Sequence, residues 1–337
     1  MAMANGMSHY PRRTLLRSLC AIALVVCALA TPASAQSDAS SYPDRPVRII
    51  VPYPPGGGSD ILARILSEKM QARWSQPMVV ENRAGASGNV GTESVFRAVP
   101  DGYTVLFTAQ PPLVSNEILY GKLNFDPKAL ASISVMAVAY SVLMVNPKVP
   151  ANNLQEFIAY AKANPGKLNY ASQGVGSSAH LTGELFSMMA AVKMVHIPYA
   201  GTNPALTDLV AGHVDVMFGE PVTSASFITA GKLKLLGFGG EKRHPEFPDV
   251  PAISEALPGF VAKIWQGMVA PPGTPDAITS KLAVAINDVL KVPDVTDRLR
   301  KWYMTPAGGA PQDMDRFLKD ERERWGNVIR TSGAKIQ

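Results

Sequence analysis

The stretch Tyr53-Pro54-Pro55-Gly56-Gly57-Gly58-Ser59-Asp60 decides the fold class, because it joins two segments of different hydrophobic periodicity. The apolar run before it, Val47 to Val51, predicts a buried strand, and the apolar spacing after it predicts a helix from Asp60 to about Trp74. Glycines between a strand and a helix start leave backbone N–H groups that the helix does not bond itself. Together with the positive end of the helix dipole, these donors predict an anion-binding loop.

Loops of the same kind follow three further predicted strands. Each is rich in Gly, Ser or Thr, and each comes directly before a predicted helix. The four loops span residues 53–60, 83–89, 172–178 and 199–203. Ligands of open α/β sheets bind at the carboxyl ends of strands, so the loops predict the walls of one shared cleft. The alternation of strands and helices also predicts α/β layers with largely parallel sheets.

The first 35 residues have the pattern of an export signal. A basic region with Arg12 and Arg13 precedes an apolar run, and Ala33-Ser34-Ala35 is a small-residue cleavage site. We therefore expect a signal peptide at 1–35 and a periplasmic location. The arginine pair is compatible with a twin-arginine signal and with an ordinary Sec signal. A lipoprotein signal at Cys27 is disfavoured, because a bulky residue precedes that cysteine.

Removal of residues 1–35 changes what the composition implies. They hold three arginines and no acidic residue, so the formal net charge falls from +5 to +2. A chain so close to neutral loses the main indication of nucleic-acid binding. Both cysteines, Cys20 and Cys27, leave with the signal. Their loss excludes a disulfide, a thiol nucleophile and a cysteine–zinc site in the mature protein.

Motifs typical of enzymes are incomplete in this chain. Gly174 to Ala179 fits a G-x-G-x-x-A dinucleotide loop, but no acidic residue follows about twenty positions later to bind the ribose. Gly85 to Gly88 misses a G-x-S-x-G elbow, and no lysine follows Gly56–Gly58 as in a P-loop. The acidic residues and histidines lack metal-ligand spacing. We therefore predict a protein without catalytic residues, cofactor or metal, with an exported α/β hydrolase or dehydrogenase as the alternative.

The charge of the four loops indicates the class of anion. Arg83 is their single basic residue. A site of backbone amides and hydroxyls without an arginine clamp favours a carboxylate over a polyphosphate. Asp60 argues against a highly charged anion and is predicted to be a helix N-cap, or the partner of an ammonium group on the ligand. His180 is predicted to be structural, and Phe107, Pro111 and Pro112 predict an apolar side to the ligand.

Short motifs with proline, glycine and aromatic residues follow one another in a fixed order along the predicted mature chain. They are Tyr42-Pro43, Arg45-Pro46, Ile50–Tyr53, Pro55–Gly57, Asp60, Val80–Arg83, Gly85-Ala86, Gly88-Asn89, Pro100–Tyr103, Phe125-Asp126, Tyr170–Ser172, Gly174, Gly176-Ser177, His180-Leu181, Glu184-Leu185, Pro198-Tyr199, Gly201, Gly212, Asp215 and Pro271–Pro275. Together these motifs resemble the substrate-binding proteins of tripartite tricarboxylate transporters, often called the Bug family.

The resemblance implies a type II periplasmic binding protein fold, an α/β fold in which two lobes close on a ligand at a hinge of two crossing segments. We expect residues 36–138 and 262–337 to form lobe 1 and residues 139–261 to form lobe 2. The resemblance further implies a small carboxylate ligand: a di- or tricarboxylate, an acidic amino acid or an aromatic acid. Its membrane partner would be the permease subunits of a tripartite transporter. We expect a monomer, and keep a ligand sensor for a membrane receptor as an alternative.

The predicted ligand-binding residues come from the glycine-rich loops and the strand ends beside them. They are Tyr53, Gly56, Gly57, Gly58, Ser59, Asp60, Ala86, Ser87, Gly88, Asn89, Thr108, Gln173, Gly176, Ser177, Ser178, His180, Tyr199, Gly201 and Thr202. No catalytic or metal-binding residue is predicted among them.

Overall fold

A computed structural model describes residues 1–2 and 40–332, and strands and helices alternate in it from Val47 onward. The predicted signal peptide therefore lies outside the described residues, apart from its first two. The strands are β1 Val47–Val51, β2 Met78–Asn82, β3 Thr104–Ala109, β4 Ala131–Tyr140, β5 Val142–Val145, β6 Asn169–Ser172, β7 Val195–Pro198, β8 Val216–Gly219, β9 Lys234–Phe238, β10 Lys263–Ala270 and β11 Thr305–Gly308. The helices are α1 Gly58–Trp74, α2 Asn89–Phe96, α3 Pro111–Val114, α4 Asn116–Tyr120, α5 Leu154–Ala163, α6 Ser178–Ala190, α7 Thr202–Ala211, α8 Pro221–Thr229, α9 Asp276–Val289, α10 Pro293–Lys301 and α11 Pro311–Ser332. Within the described ranges, no helix is long and apolar enough to span a membrane.

The strands form two mixed sheets, with the orders β11-β4-β10-β3-β1-β2 and β7-β6-β8-β5-β9. β1 is parallel to β2 and β3, and β6 is parallel to β7 and β8. β10 and β5 run antiparallel to both of their neighbours. The prediction of largely parallel sheets is therefore wrong. The parallel strand–helix–strand units are present, but β10 in the first sheet and β5 in the second run opposite to the strands on either side of them.

The chain crosses between the sheets at two neighbouring places. β4 and β5 are separated by Ser141 alone, and the return connection ends just before β10. Three backbone hydrogen bonds join the crossings: Ser141 N–H donates to Ala262 O at 2.9 Å, Ala262 N–H to Gly239 O at 2.8 Å, and Gly239 N–H to Ser141 O at 2.7 Å. These three hydrogen bonds therefore tie the two crossings together.

Apolar side chains cover both faces of the second sheet. Along β5, Leu143 and Val145 belong to one buried cluster, whereas Val142 and Met144 belong to another. This alternation is the period of a strand whose two faces are both packed against helices. In the first sheet, Ile49, Ile50 and Val51 of β1 are all fully buried. The predicted buried strand at 47–51 is therefore present.

The parallel strands determine where the glycine-rich loops emerge. Parallel strands end at the same edge of a sheet, so the loops after β1 and β2 lie side by side. The loops after β6 and β7 lie side by side at an edge of the second sheet for the same reason. Each pair leads into helices, α1 and α2 in the first case and α6 and α7 in the second.

Candidate functional site

The loop pairs of the two sheets face each other across a cleft. Ser87 Oγ, in the loop after β2, donates a hydrogen bond to the carbonyl oxygen of Val175, in the loop after β6. Ser178 Oγ donates to Gln110 Oε1 at 3.3 Å across the same space. A Cβ added to Gly57 would lie 3.7 Å from Thr202 Oγ1, which places the loops after β1 and β7 next to each other. All four loops therefore contribute to one cleft.

The cleft contains about 660 Å³ of space that no atom occupies, part of it open to solvent. Its lining residues are Tyr53, Pro54, Pro55, Gly57, Gly58, Ser59, Ser87, Ala109, Pro111, Gln173, Ser177, Ser178, Gly201, Thr202, Asn203, Pro204 and Glu220. The predicted ligand-binding residues in this set are Tyr53, Gly57, Gly58, Ser59, Ser87, Gln173, Ser177, Ser178, Gly201 and Thr202.

The remaining predicted residues do not belong to this lining. They are Gly56, Asp60, Ala86, Gly88, Asn89, Thr108, Gly176, His180 and Tyr199. Thr108 Oγ1 is 3.3 Å from the Tyr53 hydroxyl, and Tyr199 Oη donates to Asp208 at 2.7 Å. Gly88 has a φ of +93° and allows the backbone to turn beside the Tyr53 ring.

Sequence reasoning missed seven lining residues. They are Pro54, Pro55, Ala109, Pro111, Asn203, Pro204 and Glu220. Pro111 was expected to lie at an apolar side of the ligand but was not among the predicted ligand-binding residues. The prolines lack an N–H donor, so a search for anion donors passes over them. Glu220 directly follows β8, and its position at a strand end was the signal that could have identified it.

Two helices direct uncapped N-termini into the cleft. α1 begins at Gly58, two residues before the predicted start, and its N-cap Gly57 provides no side-chain bond. Ile61 N–H is the first α1 amide to reach a carbonyl of the turn, Gly57 O at 3.0 Å, so the amides of Gly58 and Ser59 have no acceptor within the helix. α7 begins at Thr202 after Gly201, again without a side-chain cap. Both ends present amide donors and a positive dipole to the cleft, and the Gly58 amide also lies beside Glu220.

A third helix N-terminus, that of α6, is held by side chains. Ser177 Oγ accepts a hydrogen bond from His180 N–H at 3.3 Å, and Gly176 N–H donates to His180 Nδ1 at 3.0 Å. The His180 ring stacks on that of His196, with ring centroids 4.0 Å apart. Burial lowers the pKa of His180, and burial together with His180 lowers the pKa of His196 to about 3. His180 therefore acts as a neutral support of the loop, which agrees with its predicted structural role.

Asp60 is part of the scaffold of α1. Its Oδ2 accepts hydrogen bonds from Gly56 N–H at 2.9 Å and Arg64 Nε at 3.0 Å. Its Oδ1 accepts from Asn82 Nδ2 at 3.0 Å and pairs with Arg64 Nη2 at 2.9 Å. Burial alone would raise the pKa of Asp60, but these bonds outweigh it and hold the pKa below its usual value. Asp60 lies in the first turn rather than at the N-cap, so the predicted N-cap role is wrong.

Glu220 has the opposite environment. It is 7% exposed, and burial raises its pKa to about 7, although the nearby Gly58 amide lowers it in part. Its side-chain donor, Gln173 Nε2, is 3.5 Å from Glu220 Oε1. Across residues 40–332, the groups of His, Cys, Asp and Glu side chains include none that could hold a metal ion.

Comparison with known proteins gives a consistent result. The sequence profile of the tripartite tricarboxylate transporter family receptor matches residues 62–334. The protein BugT of Bordetella pertussis is 35% identical over 327 residues, which cover 96% of this chain and 99% of BugT.

Solved structures match over nearly the whole described chain. An R. palustris protein with adipate has a TM-score of 0.84 and 32% identity and covers 88% of this chain and 100% of its own. MatC from Rhodopseudomonas palustris with bound malate has a TM-score of 0.80 and 31% identity, at 86% and 100% coverage. The periplasmic binding protein BugD has a TM-score of 0.82 and 32% identity, at 88% and 100% coverage. These matches confirm the predicted α/β fold of the type II periplasmic binding proteins.

Proposed function

The chain belongs to the tripartite tricarboxylate transporter receptor family, and we propose that it captures a small carboxylate in the cleft for uptake through a transporter of that type. Members of this family are periplasmic solute-binding proteins, and the matching proteins bind substrates rather than convert them. The predicted resemblance and the prediction of a binding protein without catalysis are thereby confirmed, and the hydrolase alternative is discarded.

The observation that carries the proposal is the pair of uncapped helix N-termini in the cleft, those of α1 and α7. Each supplies amide donors and a positive dipole, together with a nearby hydroxyl, Ser59 or Thr202. Among the described lining residues none is lysine, arginine or histidine. Donors without a fixed cation suit a carboxylate better than a phosphate ester of higher charge. The structural relatives with adipate and malate support the same ligand class.

The manner of capture is part of the proposal. Residues 36–138 and 262–337 would move as one lobe and residues 139–261 as the other, about the crossing at Ser141, Gly239 and Ala262. The ligand would select the closed arrangement, because the amides of α1 and α7 contact it together only there. The mature protein would act in the periplasm as a monomer after export by its signal peptide, and its partner would be the permease.

A thermal-shift panel of carboxylates tests the proposal. A ligand at 100 times its Kd stabilises the folded protein by about 2.7 kcal/mol, which raises Tm by about 4 °C for a chain of this size. The panel should include mono-, di- and tricarboxylates, aromatic acids and amino acids. The corresponding alcohols and amides serve as controls. If no carboxylate raises Tm while the protein remains folded, the proposed function is wrong.

A further inference from the structure

Two buried acceptor atoms at the cleft have no hydrogen-bond donor among residues 40–332. They are Glu220 Oε2 and Gln173 Oε1. Within residues 40–332, the other oxygen of Glu220 accepts one side-chain hydrogen bond, from Gln173 Nε2 at 3.5 Å. Buried polar atoms are rarely left unpaired in native proteins, so a neighbouring pair of unpaired acceptors points to a donor that arrives with the ligand.

The charge of the cleft leads to the same conclusion. Glu220 is the one acidic residue among the described lining residues, and no basic residue accompanies it. It also lies at the N-terminus of α1, since a Cβ on Gly58 would be 1.9 Å from Glu220 Oε2. A carboxylate bound at that terminus would approach the Glu220 carboxylate closely. Two anions in a partly dry cleft repel, whereas a cation on the same ligand makes the contact attractive.

The other acid near this end of α1 is already neutralised. Asp60 is paired with Arg64 and accepts bonds from Gly56 and Asn82. An ammonium group would have to displace Arg64 to reach it. An ammonium group could reach Glu220 without displacing a cation, because Glu220 Oε2 has no cationic partner among the described residues.

We propose that Glu220 and Gln173 select a carboxylate that also carries an ammonium group, namely an amino acid, and that Glu220 is the counter-ion of that group. The inference rests on the proposed function, since it assigns the second functional group of the same ligand. The helix N-termini receive the carboxylate, and the oxygens of Glu220 and Gln173 accept the ammonium protons. Adipate and malate, which the structural relatives hold, lack an ammonium group.

Calorimetric titration of the mature full chain with matched ligand pairs provides the test. The members of each pair differ by the amino group alone: aspartate and succinate, glutamate and glutarate, phenylalanine and 3-phenylpropionate. In at least one pair the amino acid should bind on the order of 100-fold more tightly at pH 7.5. If carboxylates bind but the amino acid is never the tighter member, this inference is wrong and the proposed function stands. If no ligand of either kind binds, the proposed function fails as well.

Glu220→Gln separates the counter-ion role from a general effect on the cleft. The variant should lose on the order of 100-fold in affinity for the amino acid, while its matched carboxylate binds equally well or more tightly. Glu323→Gln, an exposed acid on α11, makes the same charge change away from the cleft and should alter neither affinity. Equal weakening of both ligands by Glu220→Gln would overturn the assignment.

The pH dependence of amino acid affinity adds a second readout, because a charged Glu220 and a protonated Glu220 predict changes of opposite sign. Burial places the pKa of Glu220 near 7, so ionisation between pH 6 and 8 should strengthen amino acid binding about tenfold. Amino acid binding that instead weakens over this interval would mean that a protonated Glu220 acts as a donor to the ligand, and that slope would overturn the proposal.

The pKa values of the neighbouring groups are shifted away from this interval. The pKa of Tyr53 is raised by burial, and the pKa of Asp60 is held low by Arg64. The pKa values of His180 and His196 are lowered by burial.

Discussion

Two buried acids lie near the same end of α1, yet they have opposite surroundings. Asp60, on the first sheet's side, is 4% exposed and has a partner at both oxygens; Glu220, on the second sheet's side, is 7% exposed and has an oxygen with none. The pKa of Asp60 is lowered, and that of Glu220 is raised to about 7. Burial by itself therefore does not distinguish an acid of the scaffold from an acid of the binding site. The hydrogen-bond partners of each carboxylate oxygen distinguish the two acids.

The ligand's carboxylate is proposed to bind at the uncapped end of α1, and Gly57→Val should break that contact. Gly57 has a φ of −80°, and a Cβ there meets no atom closer than 3.7 Å, so valine fits the backbone and its methyl groups enter the cleft. Binding of the best ligand should weaken more than about 100-fold, while the free energy of unfolding changes by less than about 1 kcal/mol. Calorimetry and urea unfolding measure the two quantities, and undiminished affinity would place the carboxylate elsewhere.

Asp60→Ala tests the scaffold side of the comparison. The variant leaves Gly56 N–H, Asn82 and Arg64 without their acceptor, which should lower the free energy of unfolding at pH 7 by about 3 kcal/mol. Because the pKa of Asp60 is lowered in the folded state, its contribution is present above its usual value of 3.8 and is lost as pH falls below it.

Urea unfolding at pH 7 and at pH 3 measures this difference. Asp297→Ala, which removes an exposed ion pair with Arg300, is the matched control and should change the free energy of unfolding by less than about 1 kcal/mol. A loss in Asp60→Ala no larger than in this control would mean that Asp60 is not part of the scaffold.

Glu220→Gln should have the opposite sign from Asp60→Ala. Since the pKa of Glu220 is raised from 4.5 to about 7, the ligand-free folded protein loses stability relative to the unfolded chain as pH rises through this interval. The glutamine variant has no such loss. It should therefore be more stable than the natural protein by about 2 kcal/mol at pH 8 and nearly equal to it at pH 4.5. Thermal or urea unfolding of both proteins at the two pH values checks this, and a destabilised variant at pH 8 would contradict it.

The smallest effect is expected at the α6 loop, where His180 supports the cleft from behind. His180→Phe keeps the ring and its stacking on His196 but removes the acceptor of Gly176 N–H. The free energy of unfolding should fall by about 1–2 kcal/mol, and ligand affinity by a few-fold. His213→Gln, an exposed pair with Asp208, is the control. A loss as large as that of Asp60→Ala would show that the loop depends on His180 more than its single bond implies.

Much of the fold follows from local signals in the sequence. The run at 47–51, the glycine-rich stretch at 53–60 and the apolar spacing after it predicted a strand, a loop and a helix that are all present. The resemblance to the receptor family is confirmed, as is the two-lobed fold class. The direction of β5 and β10 was not predictable in this way, because strand pairing is decided by residues far apart in the chain.

For the site, the sequence determined which loops carry donors, since glycine and small polar residues between a strand and a helix leave amides unpaired whatever surrounds them. It did not determine which loop residue faces the cleft or what an acid there contacts. Asp60 meets Asn82 from β2, and Glu220 meets Gly58 and Gln173 from elements more than 45 positions away in the sequence. Tertiary structure alone decided these contacts, because the ionisation and role of a buried acid depend on the groups that packing places around it.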